Sequence, residues 1–335
     1  MTRLKLLLRL KIFVPFLLSA LFLYIAFQDI NLNELWKSLR SASMVTIVLA
    51  SALAIMAILF RAWRWQFLLR PLKNLPYKRV YPITMIGFMA NNILPAHAGE
   101  LVRAYILARE EKIDGVATFT TVLLERILDL VALVSILAIV AYSVELPDWL
   151  RYSAFALGFF AWATLGVLYA TTLKNSRLKG FLTGLVERLP IKVRGYLQAK
   201  LHAVLEGVKI VGSRRVLAKL MVMSLAVWLQ LAFTIWVVLV GYPLENPQPS
   251  FILPALTALL LVAFAAAIPS SPGYVGVTQV AFVYALEPFG IGQAEAVGVS
   301  VVYHLTQYFP ITLAGIWYLL RLGFSFRTLT EAREK

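Results

Sequence analysis

Long apolar segments are the feature that most constrains how this chain of 335 residues can fold. Several of them approach or exceed the roughly 18 apolar residues that are typical of a membrane-spanning helix. Apolar residues make up 60% of the chain, well above the roughly 45–50% found in soluble domains. In lipid every backbone polar group needs an internal partner, and a helix provides one. The sequence therefore predicts an all-α polytopic membrane protein.

The apolar segments fall into two kinds. Six are long enough to cross a bilayer as single helices, at residues 12–28, 44–61, 117–142, 149–173, 216–241 and 295–320. Two more are interrupted, residues 80–109 at Pro95 and residues 251–287 at Pro269. At a rise of about 1.5 Å per residue, neither arm of residues 80–109 can cross a hydrocarbon core of about 30 Å. We therefore expect both interrupted regions to form re-entrant helical hairpins.

The positive charges predict the orientation of the chain. If the N-terminus is cytoplasmic, 27 of the 32 Lys and Arg residues lie in cytoplasmic segments, as the positive-inside rule requires. The basic and apolar N-terminus lacks a small-residue cleavage site, so we expect an uncleaved first helix. The prediction is a multi-pass protein of the cell inner membrane with both termini in the cytoplasm. Loops at an anionic leaflet explain the net charge of +15 better than nucleic acid does.

The two interrupted regions resemble each other. The first contains "LPAHAGE" and the second "IPSSPGY", and both read aliphatic-Pro-x-x-x-Gly. Predicted spans flank each of them, and the charge count makes them enter from opposite sides, as in the inverted repeats of transporters. We predict one integral membrane domain over residues 1–335, with repeat units at about 44–142 and 216–320.

The loop at residues 174–219 contains 11 Lys and Arg residues. Its apolar residues Leu197, Leu201 and Val204 have helical spacing. This pattern is typical of a basic amphipathic helix on an anionic leaflet. It fits equally a helix that packs against the end of the helix bundle, and the sequence leaves both open.

Polar residues gather at the predicted hairpin tips, where a broken helix leaves backbone groups without partners. Asn91 and Asn92 either satisfy these groups or contact a substrate. The helices that start near Gly99 and Gly273 direct their positive ends at the breaks, which favours an anion. His97 is a candidate proton carrier or a polar loop residue. The other candidate substrate-binding residues near the second break and in the last helix are Ser270, Ser271, Gln279 and His304.

Charged residues interrupt the apolar pattern after the first break. Glu100 and Arg103 are spaced i,i+3, and Glu125, Arg126 and Asp129 lie within one predicted span. Charges inside a membrane usually face a cavity or one another. All five are candidate substrate-binding residues. The alternative is a structural cluster in which Glu100 pairs with Arg126 and Arg103 pairs with Asp129.

The segment "RAWRWQFLLR", residues 61–70, combines aromatic and basic side chains. This composition predicts an anchor at the membrane–water interface, with a lipid phosphate bound by Arg61 or Arg64 as the alternative. The absence of cysteine excludes disulfides and thiolate metal sites. Glu125 and Asp129 could share a magnesium ion, but Arg126 between them argues against it. We expect no metal and no cofactor.

Two motifs carry a family resemblance. "NNILPAHAGELVRAYIL" resembles the Asn-x-x-Leu-Pro-x-x-x-Gly-Glu-x-x-Arg motif of the flippase-like family, which comprises the transmembrane region of lysylphosphatidylglycerol synthases and their stand-alone relatives. "LLERILDLVAL" is similar to its Glu-Arg-x-x-Asp motif, and "RAWRW" and "PSSPGYVGV" fit an earlier and a later signature. The matching positions are Asn92, Pro95, Gly99, Glu100, Arg103, Glu125, Arg126, Asp129, Pro269, Pro272, Gly273 and Gly276.

The resemblance implies a polytopic protein, and the best-known members translocate an aminoacylated phospholipid between leaflets. The later motif of the family usually reads Pro-Gly-Gly-x-Gly-x-x-Glu. Here Tyr274 replaces a glycine and Gln279 stands where the glutamate would be. The soluble aminoacyl transferase domain of some relatives has no counterpart after the last predicted helix.

The pattern and the resemblance together predict a lipid translocase that is not an enzyme. Arg103 would pair with a phosphate, and Glu100 with a cationic head group or a proton. No phosphate-binding G-x-x-x-x-G-K-[ST] motif occurs, so the process is not expected to be ATP-driven. The expected partners are membrane lipids (an anionic or aminoacylated phospholipid, or a lipid-linked glycan), a separate lipid-modifying enzyme and a second copy of the chain. The alternatives are an integral-membrane lipid or glycosyl transferase and a non-catalytic scaffold.

Overall fold

A computed structural model describes residues 17–325 except 29, 31, 95–97, 144–147, 174–175, 245–248 and 267–271. The described residues form α-helices joined by short turns and contain no strand, which confirms the all-α prediction. The α-helices are α1 Leu17–Phe27, α2 Leu32–Arg40, α3 Met44–Leu69, α4 Tyr77–Ile93, α5 Ala98–Glu111, α6 Gly115–Ser143, α7 Asp148–Thr171, α8 Arg177–Glu187, α9 Ile191–Val208, α10 Arg214–Val240, α11 Ile252–Ala266, α12 Val277–Leu286 and α13 Gln293–Arg321.

Within the described residues, two helices are long and apolar enough to cross a membrane, α3 and α10. Three shorter apolar helices lie at Leu17–Phe27, Phe155–Thr171 and Ile252–Ala266. The helices α6 and α13 coincide with two further predicted spans. The helical membrane character is therefore present in the structure, while the number of six spans and the re-entrant geometry stay predictions.

The described residues belong to two compact units. Unit 1 comprises Met1–Ala57, Met85–Gly99 and Leu229–Phe324, and unit 2 comprises Ile58–Thr84, Glu100–Trp228 and Ser325–Lys335. The helices α3, α4, α5 and α10 each contribute residues to both units. Five of the described candidate residues, from Glu100 to Asp129, therefore belong to unit 2, and the other six belong to unit 1.

In unit 1 the first helix break lies where the sequence predicts it. The helix α4 ends at Ile93 and α5 begins at Ala98, on either side of Pro95, which is outside the described residues. The end of α4 and the start of α5 pack backbone to backbone, because a methyl group on Gly99 would overlap the carbonyl oxygen of Gly87. Glycine is therefore required at residue 99 for the two helix ends to approach this closely.

The second break in unit 1 is built on left-handed backbone. After α11 ends, residues Pro272–Tyr274 form a short 3-10 turn, and α12 begins at Val277. Gly273 has a φ of 75°, Gly276 a φ of 86° and Tyr274 a φ of 61°. Glycine adopts such angles without strain, whereas a bulky side chain pays a steric cost. The position at which this chain departs from the family motif is thus one where glycine is the less strained residue.

We expect Tyr274→Gly to raise the free energy of unfolding by about 1 kcal/mol, because it removes a side chain from a left-handed backbone. The measurement is the denaturant midpoint of the purified protein in detergent micelles. Tyr284→Gly is the contrasting control, because Tyr284 lies within α12 and glycine there should destabilise the helix by about 1 kcal/mol. A lower midpoint for Tyr274→Gly would show that the contacts of the tyrosine side chain stabilise the fold by more than the backbone strain destabilises it.

Unit 2 is organised around α6, whose buried residues extend from Ala117 to Val140. The helix α9 packs on it through Gly207, where an added methyl group would overlap the Ala117 carbonyl oxygen and the Thr120 side chain. Ala203 and Val208 are buried on the same part of α9. The C-terminal end of α9 thus packs on α6, while Leu197, Leu201 and Val204 are not buried, so both alternatives for the apolar spacing stay open.

Candidate functional site: a buried charge network

Seven charged side chains of unit 2 form a continuous network of ion pairs, named here the charge network. Its members come from α3, α5 and α6 and are Arg61, Arg64, Glu100, Arg103, Glu125, Arg126 and Asp129. In α6, Glu125 and Asp129 are one helical turn apart and therefore share a face. The same holds for Arg61 and Arg64 in α3, so that local helix geometry presents each group of charges together.

Arg64 is the centre of the charge network and is fully buried. Its Nη1 donates to Oδ1 of Asp129 at 2.5 Å and to the Ser224 hydroxyl at 2.6 Å. Its Nη2 donates to Oε1 of Glu125 at 2.7 Å. A guanidinium taken out of water is tolerated only when charged and hydrogen-bonded partners compensate for the lost hydration. Two carboxylates and a hydroxyl provide that compensation here.

Arg103 occupies a second buried position. Its Nη1 lies 3.0 Å from Oε2 of Glu125, and its guanidinium lies over the ring of Trp65 at 4.8 Å from the centroid. The Trp65 indole in turn donates to the Thr121 hydroxyl at 3.0 Å. The ion pair and the cation–π contact together hold this arginine. Only 2% of its side chain is exposed.

Asp129 collects contacts from three helices. Besides Arg64, it accepts a hydrogen bond from the Trp228 indole at 3.1 Å, and its Oδ2 lies 3.3 Å from Arg126 and 3.7 Å from Arg61. The guanidinium of Arg61 also lies over the Trp228 ring, 5.4 Å from its centroid. These contacts tie α3, α6 and α10 together on one carboxylate.

The charge network has one accessible edge. The Arg126 side chain is 35% exposed and Glu100 is 16% exposed, and their Nε and Oε1 atoms lie 3.4 Å apart. The other five members have at most 7% of their side chains exposed. The Glu100–Arg126 pair is the one expected from the sequence. Arg103 pairs with Glu125 and not with Asp129, because Arg64, Arg126 and Arg61 surround Asp129.

Among the residues that the structure describes, positive charges outnumber negative charges in the charge network. Its four arginines and three carboxylates carry a formal net charge of +1. A buried excess charge in a medium of low dielectric constant is unfavourable and attracts an ion of opposite sign. No group of three or more His, Cys, Asp or Glu in the described part of the chain is arranged to hold a metal ion. The arrangement favours an anion at the accessible edge.

The sequence pattern assigned Arg61 and Arg64 to an interfacial anchor or a lipid phosphate and did not place them with the charged residues of the membrane segments. The prediction of an interfacial anchor is wrong for Arg64 and Trp65, which are both fully buried. The predicted span ends at residue 61, whereas α3 continues to Leu69. Arg61 and Arg64 are three residues apart, as Glu100 and Arg103 are. This spacing was the feature of the sequence that could have indicated a shared buried face.

The candidate residues of unit 1 at the first break satisfy protein groups. The Asn91 side chain accepts a hydrogen bond from the Gly99 N–H at 2.8 Å and thereby caps the start of α5. The Asn92 amide donates to the Thr312 hydroxyl at 2.9 Å. These contacts supply partners at the break, which is one of the two roles that the sequence allows, and contact with a substrate stays a prediction. His97 lies outside the described residues.

At the second break in unit 1, a candidate residue also hydrogen-bonds the protein backbone. The Gln279 side chain accepts from the Gly276 N–H at 2.8 Å and caps α12. His304 lines the cavity beside this break, and a methyl group on Gly273 would lie 3.4 Å from the Asn92 carbonyl oxygen. A cavity of about 260 Å³ adjoins these residues. Ser270 and Ser271 lie outside the described residues.

Apolar helices of spanning length and a buried network of charged side chains define a helical membrane protein with an internal polar site. The family model described as "Lysylphosphatidylglycerol synthase TM region" matches residues 12–315. The chain belongs to this family, as its two motifs indicated. Its relatives include proteins that are described as membrane proteins.

Three relatives of this chain are described either as membrane proteins or as a glycosyltransferase. A UPF0104 membrane protein of Methanocaldococcus jannaschii is 28% identical over 232 residues, which are 67% of this chain and 90% of the relative. A second UPF0104 membrane protein, from Methanothermobacter thermautotrophicus, is 22% identical over 300 residues, 85% of this chain and 87% of the relative. The glycosyltransferase AglD of Haloferax volcanii is 24% identical and aligns with 96% of this chain and 56% of its own length.

These relatives correct one prediction. The expectation that the chain is not an enzyme is wrong in the light of the relatives, because the family carries the name of a synthase and one relative is described as a glycosyltransferase. That expectation was based on missing catalytic motifs, and their absence does not exclude enzymatic chemistry within membrane-embedded helices.

Proposed function

We propose that the chain binds the phosphate-containing head group of a membrane lipid at the accessible edge of the charge network and moves it between the leaflets. The observation that supports this best is the excess positive charge of a buried network whose outermost cation, Arg126, is partly exposed. A lipid phosphate would balance the charge and accept hydrogen bonds from a guanidinium, which suits phosphate geometry.

The geometry changes the role that the sequence assigned to Arg103. That arginine is buried, pairs with Glu125 and stacks on Trp65, so that a phosphate would have to displace two partners to reach it. Arg126 lies near three carboxylates, Glu100, Glu125 and Asp129, but 35% of its side chain is exposed, so a phosphate can reach it without displacing them. We therefore assign the first phosphate contact to Arg126. Glu100 is the group that yields to the phosphate or pairs with a cationic head group.

A lipid is the ligand class that fits a membrane protein with such a site. The hydrocarbon core of about 30 Å opposes passage of a charged head group. A polar site between helices lowers this barrier while the acyl chains stay in the bilayer. Movement would be downhill or would use an ion gradient or the membrane potential, which is worth roughly 2.3 kcal/mol per charge per 100 mV.

The test is leaflet exchange in proteoliposomes. Head-group-labelled phosphatidylglycerol, lysylphosphatidylglycerol, a lipid-linked sugar phosphate and phosphatidylcholine are incorporated one at a time, and a membrane-impermeant reductant bleaches the outer-leaflet label. We expect the bleached fraction to rise from about half to nearly all for at least one phosphate lipid, because inner-leaflet label becomes accessible. Vesicles without protein provide the baseline. Bleaching that stops at the baseline for every lipid contradicts translocation.

A second candidate function is transfer of a sugar or aminoacyl group to a lipid, which the descriptions of the family and of one relative favour. In that case the charge network would hold the phosphate of the lipid acceptor. Mass spectrometry of the lipids after incubation with activated donors separates the two functions. A new covalent lipid product without leaflet exchange supports transfer, and exchange without a product supports translocation.

A further inference from the structure

The helix α8, Arg177–Glu187, has no buried residue although much of it is apolar. Phe181 is 65% exposed and Leu185 is 52% exposed. Its start is well formed, because the Ser176 hydroxyl accepts a hydrogen bond from the Lys179 N–H at 3.1 Å. The exposed apolar residues are thus presented by an ordered, capped helix.

The side chains of α8 sort into an apolar face and a polar face. Leu178, Phe181, Leu182 and Leu185 follow the i, i+3, i+4, i+7 spacing that places residues on one side of a helix. Within unit 2, none of these four is buried. Phe181 and Leu185 are exposed while Leu178 and Leu182 are half-buried, so about half of the apolar face of α8 remains open.

Basic residues border this face on both sides. At about 100° per residue, Lys179 lies on one flank of Leu178 and Arg177 on the other, and Arg188, directly after the helix, falls close to Arg177. Glu187 is on the opposite side. An apolar face with basic flanks is complementary to a bilayer surface whose head groups are anionic.

We propose that α8 lies in the interfacial region of an anionic leaflet, with Phe181 and Leu185 in the acyl boundary and the three basic residues at lipid phosphates. Eleven residues give a helix of about 16 Å, too short to cross a core of about 30 Å, so α8 lies along the surface. A membrane is favoured over a protein partner because the family is embedded in one and because basic residues border both sides of the face. The interaction does not depend on lipid transport.

The sequence offers a clean way to locate α8. The chain contains no cysteine, so a single introduced cysteine takes a fluorophore at one place only. Leu185→Cys and Glu187→Cys are a matched pair, because both residues are exposed and their side chains point about 200° apart. The full-length variants are labelled and reconstituted in phosphatidylcholine vesicles with or without about one-third phosphatidylglycerol. Nitroxide lipids and aqueous iodide serve as quenchers.

We expect nitroxide lipids to quench the label at residue 185 about three times more than the label at residue 187, since one face is in the acyl boundary. Phosphatidylglycerol should increase this quenching about twofold, and Lys179→Gln with Arg188→Gln should abolish the increase. Lys209→Gln, an exposed residue beyond α9, should leave it unchanged.

Three results would overturn the proposal. Equal quenching by iodide at residues 185 and 187 would place both faces in water. Protection of residue 185 from both quenchers would show that a protein, either a partner or a second copy, covers α8. Quenching that changes neither with phosphatidylglycerol nor with the charge variants would show that α8 does not bind an anionic lipid surface.

Discussion

Arg64→Leu is expected to lower the free energy of unfolding by about 3–5 kcal/mol, the largest stability effect of any single substitution in the charge network. The change removes the cation that Glu125 and Asp129 share and leaves the Ser224 hydroxyl without its donor. Arg64 is fully buried, so water cannot replace the lost hydrogen bonds. The measurement is the denaturant midpoint in detergent micelles, followed by helical circular dichroism.

The control for this prediction is Arg79→Leu, because Arg79 is an exposed arginine of α4 outside the network. Substitutions of this kind change stability by about 0.5 kcal/mol or less. A double-mutant cycle with Glu125→Gln adds a second test. Removing one carboxylate after the arginine is gone should cost less than removing it from the intact network. Additive effects, or equal midpoints for Arg64→Leu and Arg79→Leu, would contradict the role of Arg64 as the centre.

The sequence was informative wherever local chemistry decides the outcome. Pro95 cannot donate a backbone hydrogen bond, and the helix indeed ends at Ile93 and resumes at Ala98. The spacing of Glu125 and Asp129 placed both carboxylates on one face of α6. The pairing of Glu100 with Arg126 was one of two pairs in the structural alternative, and the structure contains it. These features depend on backbone geometry that a few consecutive residues determine.

The burial of Arg64 could not be predicted in the same way. An arginine beside tryptophans at the end of an apolar run has the pattern of an interfacial anchor. What makes it a buried residue is the pair of carboxylates on α6, which are 61 and 65 residues away in the chain. That pairing depends on how α3 and α6 pack in the tertiary structure. Likewise, the polarity of Asn91 and Asn92 left open whether they contact a substrate or, as observed, a helix start and Thr312.

The proposed ligand site makes a second prediction, in which two substitutions at the same ion pair have opposite effects. Arg126→Gln reduces the formal charge of the charge network from +1 to zero and removes the accessible phosphate donor. A lost charge-assisted hydrogen bond costs about 1.5–3 kcal/mol, roughly a 10- to 150-fold weaker binding of an anionic lipid. Glu100→Gln raises the charge to +2 and removes the more exposed of the carboxylates that compete with a phosphate for Arg126. We expect binding to strengthen about fivefold, or about 1 kcal/mol, because the pair is partly exposed.

Binding of labelled phosphatidylglycerol to the protein in nanodiscs, and its leaflet exchange in vesicles, measure these effects. Arg126→Lys should retain most of the binding, since the charge is kept while the bidentate geometry is lost. Arg109→Gln is the matched control, because Arg109 is an exposed arginine in the last turn of α5. A purely structural role predicts that neither Arg126→Gln nor Glu100→Gln strengthens lipid binding, since Arg126 also lies near Glu125 and Asp129 and all of these contacts would then serve stability alone. Opposite changes in lipid binding identify a ligand site, and equal losses in both variants would contradict one.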